Sequence, residues 1–151
     1  MKEKTVPEFS EGRFEGMSEH FLDPKGRLTL PAQYRDHLIH DQTVILSVGF
    51  MGALAIWHPQ MWEVKKSRPV EEHPRYGTRV VNNAVRFMTP VDAQARVRIS
   101  VEFRKWCQLP GREVIVTGND DHVLVWDRNR WNEFFHKELE RMVKEESPPG
   151  I

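Results

Sequence analysis

One cysteine, Cys107, is all the thiol chemistry in this 151-residue chain. An internal disulfide is therefore excluded, and a reducing compartment is expected. No apolar run approaches the roughly 20 residues that a membrane helix needs. The opening stretch MKEKTVPEFSEGRFEG lacks the apolar segment of a secretory signal, so a cytosolic, non-membrane location is expected. Net charge is missing as well, because 22 basic residues balance 22 acidic ones. Such a balance argues against indiscriminate coating of nucleic acid. There is no P-loop, dinucleotide fingerprint or nucleophile elbow. Neither an enzyme nor a cofactor or small-molecule substrate is expected.

What is there suits a globular core: 39% of residues are hydrophobic, with five Trp and eight Phe. Charge is unevenly spread. Arg75, Arg79, Arg86, Arg96, Arg98, Arg104 and Lys105 face only Asp92 and Glu102 in the middle, whereas the first 22 residues hold five Glu. Most of these residues belong on solvated faces, but the middle leaves room for one local cationic patch.

Shifted by 69 positions, the chain aligns with itself without a gap from Asp23 to Trp62. Asp23/Asp92, Arg27/Arg96, Arg35/Arg104, Gly49/Gly118, Trp57/Trp126 and Trp62/Trp131 are identical pairs. Apolar positions keep the same phase, as in Leu28/Val97, Leu30/Ile99, Ile45/Val114 and Leu54/Val123. The chain is a twofold repeat.

Each half parses alike. RLTLP and RVRIS alternate as strands with a buried face and a wet face, the arginines on the wet one. Pro31 suits the first turn of a short helix, and Ser100 can cap its counterpart. Tyr34 and Leu38 then share a helical face. VILSVGFMGALAIW and EVIVTGNDDHVLVW read as hairpins, each leading into a helix. The first helix runs from Pro59 to Lys66. The second is capped by Asp127 and carries Trp131, Phe134, Phe135, Leu139, Met142 and Val143 on one stripe. In GTRVVNNAVRFM, the residues Val81, Ala84, Val85 and Met88 lie at helical spacing. Pro69 and Pro74 mark the boundary between halves.

The expected class is α+β, with one unit over 13–68 and a second over 75–145, and flexible ends at 1–12 and 146–151. Strands this short leave exposed edges unless the copies pair with each other. A pseudo-twofold barrel made from both halves, with flanking helices, meets that need.

In FLDPKGRL, Asp23 opens a turn, Pro24 sets φ, and Gly26 supplies a left-handed residue. Such a turn aims Arg27 outward and lets the carboxylate orient the guanidinium. An arginine so held can bind phosphate or the O6/N7 edge of guanine. Equally, Asp23–Arg27 can be a turn clip and nothing more.

LDPKGRLTLPAQYR, VDAQARVRISVEFR and GNDDHVLVWDRNRW, with the double-unit layout, resemble the MraZ family. These are bacterial transcriptional regulators of the division and cell-wall gene cluster, built from two AbrB-like (SpoVT/AbrB) units. The resemblance spans roughly Arg13 to Lys144. It implies a swapped-hairpin barrel, assembly into a homo-oligomeric ring, and Asp-x-x-x-Arg loops that bind tandem G-rich promoter repeats in double-stranded DNA. It also implies a place on the nucleoid. Carried over, the first binding loop is Asp23, Lys25, Gly26 and Arg27, with Arg35 on the following helix; the second is Asp92 and Arg96. Arg27 would read guanine while Lys25, Arg13, Arg35, Arg86 and Arg98 hold phosphates.

The second unit departs from the pattern. Ala95 replaces the usual Gly and Ser100 the usual Pro. Ala resists the left-handed region by about 1 kcal/mol or more, which predicts a second loop of different shape. Three rival readings remain: a ring-forming scaffold without DNA binding, an AbrB-like antitoxin, and a small hydrolase using Asp121, His122 and Asp127. Asp120, Asp121 and His122 are read as turn residues, not metal ligands, since Met51, Gly52 and Ala53 match them. The two Trp pairs are read as core.

Overall fold

The computed structural model describes residues 14–66 and 76–146. Arg13, Arg75, Pro69, Pro74 and both expected flexible ends apart from Glu146 lie outside those residues.

The first half holds strands β1 (Met17–Phe21), β2 (Arg27–Thr29), β3 (Thr43–Val48) and β4 (Leu54–Trp57), with helices α1 (Ala32–Leu38) and α2 (Pro59–Lys66). The second holds helix α3 (Tyr76–Ala84), strands β5 (Arg86–Pro90), β6 (Arg96–Arg98), β7 (Glu113–Asn119) and β8 (His122–Asp127), and helices α4 (Val101–Trp106) and α5 (Arg128–Glu146). The class is α+β.

Six strands form one antiparallel sheet in the order β1-β7-β8-β4-β3-β5. The halves meet at its centre, where β4 pairs with β8 through Leu54↔Val125 and Ile56↔Val123. Edge strands are exchanged: β1 of the first half pairs with β7 of the second, and β5 of the second pairs with β3 of the first. Neither half could satisfy its strands alone, which is why the two halves share one core. Leu28, Leu30, Leu54 and Ile56 meet Val97, Ile99, Val123 and Val125 in that core, all fully buried. Each such side chain contributes about 1.5–3 kcal/mol.

Helix starts follow the sequence. Ser100 Oγ accepts from the Phe103 amide at 3.2 Å, and Asp127 Oδ2 accepts from Asn129 and Arg130 at 3.1 and 3.2 Å. Pro31 sits one position earlier than expected, at the cap of α1. Tyr34 and Leu38 are buried as expected.

Three expectations need correction. First, the 69-residue shift fails in the hairpins: Ile45 faces Trp57, but Ile115 faces Trp126, so β3 and β7 correspond at a shift of 70. The second half has one more residue before its hairpin, and the first half one more in the turn. Gly49 and Gly118 are identical without being equivalent. Second, Met88 is not helical; α3 stops at Ala84 and Met88 lies in β5. The β-prone run from Arg86 finds a partner in β3, which outweighs helical spacing. Third, the stripe of α5 is not wholly core. Trp131 and Phe134 pack against it, while Leu139, Met142 and Val143 are exposed, because the 19-residue helix outruns the body. Strand β1 (MSEHF) is an element beyond those expected, since it lacks any strand pattern strong enough to predict.

No helix among the described residues is long and apolar enough to cross a membrane.

Candidate nucleic-acid interface

β2 and β6 form a separate two-stranded antiparallel ribbon in which Arg27 faces Arg98, Leu28 faces Val97, and Thr29 faces Arg96. Exchanging the halves maps this register onto itself. Leu28 and Val97 point into the core. By strand alternation, Arg27, Arg98, Arg96 and Thr29 share the outer face. Three of the four carry guanidinium groups.

The loop entering each strand is built on its Asp. Asp23 Oδ1 accepts from the amides of Lys25 at 2.9 Å and Arg27 at 2.8 Å, and Oδ2 accepts from Arg27 Nε at 2.6 Å. The backbone closes the turn through Gly26 N–H to Asp23 C=O at 2.9 Å and Asp23 N–H to Arg27 C=O at 2.9 Å. Arg27 thus spends Nε on its own loop. Its other guanidinium nitrogens have no partner among the described residues, and its side chain is 29% exposed. The guanidinium is oriented and left available.

The second loop repeats the first. Asp92 Oδ1 accepts from the amides of Gln94 and Arg96, each at 2.9 Å, and Oδ2 accepts from Arg96 Nε at 2.8 Å. Ala95 adopts φ +60°, close to Gly26 at +77°. The expectation of a different shape is overturned: five hydrogen bonds within the loop, plus one across the ribbon, hold Ala95 in a region it disfavours.

That further bond ties each loop to the opposite half. Gly26 C=O accepts from Ile99 N–H at 2.9 Å, and Ala95 C=O accepts from Leu30 N–H at 2.8 Å. Neither loop can shift without its opposite strand, so the ribbon and both loops are one rigid unit.

Both carboxylates are held below the ordinary 3.8, in each case first by the amide of the Arg four residues on, then by its side chain. The clips stay ionised across the neutral range.

The other expected residues divide. Lys25 and Arg98 are exposed beside the clips. Gly26 is buried, with Ile99 O and Arg104 Cζ at 3.0 and 3.2 Å from where a Cβ would stand. Arg35 is half-buried and donates Nε to Leu30 C=O at 2.8 Å, so it braces the ribbon's end. Arg86 is not with the others. It starts β5, about 13 Å of strand from Pro90, and its guanidinium lies 5.6 Å from the Trp62 ring centroid. Arg104, beneath the first loop, was not singled out for this site, although its repeat mate Arg35 was.

The rival chemistry finds little. No group of three metal-ligating side chains exists among the described residues. Asp121 is buried and bonded to His122 Nδ1 at 2.7 Å, and His122 stacks on Trp57. Asp127 caps α5.

The family model described as "MraZ protein, putative antitoxin-like" matches residues 14–73 and again 87–147. A protein of Mycoplasmoides gallisepticum named "Transcriptional regulator MraZ" is 32% identical over 127 residues, covering 80% of this chain and 86% of that one. A Roseiflexus protein of the same name is 32% identical over 123 residues, covering 78% and 83%. One from Nocardia farcinica is 29% identical over 137 residues, covering 86% and 93%.

Proposed function

The chain belongs to the MraZ family, and from that premise we propose that it is a sequence-specific DNA-binding transcriptional regulator that reads tandem G-rich promoter repeats with its β2–β6 ribbon. The observation carrying this reading is the ribbon's outer face: Arg27 and Arg98 opposite each other, Arg96 beside them, and Asp23 and Asp92 fixing two of the three. A two-stranded ribbon fits the major groove of B-DNA. Arg27 offers paired donors to guanine O6 and N7, while Lys25 and Arg98 take phosphates. Arg96 sits in a loop of the same shape and makes an equivalent contact. Arg35 supports the ribbon and reaches phosphate only with its terminal nitrogens.

Units of 13–68 and 75–145, interleaved as a pseudo-twofold barrel, make the ribbon a joint product of both halves. The protein assembles into a homo-oligomeric ring in the cytoplasm, on the nucleoid. Supporting this are exposed apolar side chains on several elements: Tyr76, Val80 and Val81 on α3, Phe87 and Met88 on β5, and Met17 and Phe21 on β1. A ring multiplies a weak single contact by effective concentration when the sites recur along the DNA.

Fluorescence anisotropy with repeat-containing and scrambled duplexes tests the reading. Arg27→Ala is expected to lose about 1–3 kcal/mol of discrimination between them. Parent-like binding by Arg27→Ala would remove the ribbon as the reader.

A further inference from the structure

A cavity of about 440 Å3 opens beside the β3–β4 turn, bordered by Ser47, Trp57, Trp62, Lys65, Asn82 and Asn119. The repeat shows what distinguishes its chemistry. In the second half, Phe134 stacks on Trp126 at 5.3 Å and 18°, and the Trp126 indole N–H donates to Thr117 Oγ1 at 3.2 Å. There an aromatic ring covers the indole and its N–H is paired, while a separate opening of about 480 Å3 runs past Met51, Arg130 and Phe134. In the first half, Trp57 matches Trp126 and Ser47 matches Thr117. Helix α2 starts at the position equivalent to the start of α5, so Lys65 stands where Phe134 does.

Lysine in place of phenylalanine changes the chemistry of the space. Ser47 borders the cavity and is 1% exposed. Trp62 is 8% exposed, and its buried indole N–H has no partner among the described residues. Lys65 forms no ion pair with any described carboxylate. Thr78 and Asn82 add hydroxyl and carboxamide donors, Asn119 Nδ2 lies 3.2 Å from His122 Nε2, and no described Asp or Glu lines the cavity. One wall is His122, stacked on Trp57 at 4.1 Å and 13° and fixed by Asp121. Burying donors without acceptors is unfavourable, and an unopposed ammonium among them raises the demand for an anion.

We propose that this cavity is a binding site for a small organic or inorganic oxyanion, a carboxylate or phosphate, held by the Lys65 ammonium, the Trp62 indole N–H and the Ser47 hydroxyl. Its volume suits a compound between a simple acid and a mononucleotide. The site is independent of the ribbon and of any reading of DNA.

Tryptophan fluorescence of the full chain, titrated with citrate, inorganic phosphate and adenosine monophosphate against potassium chloride of equal ionic strength, tests it. A saturable response to at least one, with Kd in the millimolar range or below, is expected. Which probe responds separates carboxylate from phosphate and bare anion from nucleotide. Lys65→Phe, which copies the residue of the other half, should weaken that response by about tenfold or more; Lys65→Gln serves if Lys65→Phe does not fold. Arg98→Thr should retain the response, which separates this site from phosphate bound on the ribbon. No saturable response to any probe by about 10 mM overturns the proposal, as does unchanged binding by the Lys65 variants or loss of binding in Arg98→Thr.

Discussion

Arg27 lies directly across the β2–β6 ribbon from Arg98, two guanidinium-bearing residues paired where opposite charges would be more stable. Asp23 relieves the first. Arg98 has no carboxylate partner among the described residues. At the equivalent place in the first half stands Thr29, which shows that the ribbon folds with an uncharged residue there. The extra cation therefore costs stability that an incoming polyanion would restore.

Arg98→Thr separates those two effects. Thermal stability should rise slightly, since a like-charge pair is removed. Affinity for repeat DNA should fall, and the slope of log K against log salt should become shallower by about 1, one phosphate contact fewer. Unchanged salt dependence would place Arg98 outside the interface.

Gly26 and Ala95 are conformational twins with different residues, which makes a reciprocal pair of substitutions informative. At Gly26 a methyl group would meet Ile99 O at 3.0 Å and Arg104 Cζ at 3.2 Å, on a backbone already at φ +77°. Gly26→Ala should cost about 1–2 kcal/mol. At Ala95 the methyl is already accommodated at φ +60°. Ala95→Gly should relieve strain by more than it adds to unfolded-chain entropy, a net gain of about 0.5–1 kcal/mol. Denaturant unfolding of both variants checks the signs; a loss of stability in Ala95→Gly would mean that the loop carries no strain.

The repeat and the two hinges were legible because they rest on local chemistry: Asp accepting from its own turn, and alternation in RLT and RVR. The strand exchange was only foreshadowed by the need to cover edges. β1 escaped notice because MSEHF pairs through backbone at a sheet edge, where side-chain pattern carries little information. The slip from 69 to 70 escaped because Val114, Ile115 and Val116 are all apolar, so either register looks equally good. Ala95 was misread since single-residue preference was weighed without the hydrogen bonds that override it. Arg86 was misplaced because charge in sequence does not say which end of a strand it occupies.

Cys107 should be chemically silent in the folded chain. It is fully buried, and burial pushes its thiol up to about 12, so the reactive thiolate is nearly absent at neutral pH. Labelling with a disulfide reagent should proceed only as fast as the protein opens, and should become rapid in denaturant. Rapid labelling of native protein would contradict the packing of α4.

His58 is the larger of two histidine contributions to the response to acid, burial lowering the pKa of His20 as well. Its Nδ1 accepts from the Gln60 amide at 3.1 Å at the start of α2, and its ring lies 5.0 Å from that of His40. Burial first, and then the His40 charge, hold its pKa down from 6.5 to about 4. The folded state therefore prefers the neutral imidazole, and the unfolded chain takes up the proton first. Stability should be level above pH 6.5 and fall as pH drops towards 4, with a slope approaching about 1.4 kcal/mol per unit, the limit for one proton. Protonation also turns Nδ1 from acceptor to donor and removes the cap from α2. His58→Asn keeps an acceptor for the Gln60 amide but has nothing to titrate, so it should retain stability at neutral pH and flatten the acid limb between those values. If the variant's acid limb instead overlays the parent's, the proton is taken up elsewhere, and His58 is only a packing residue.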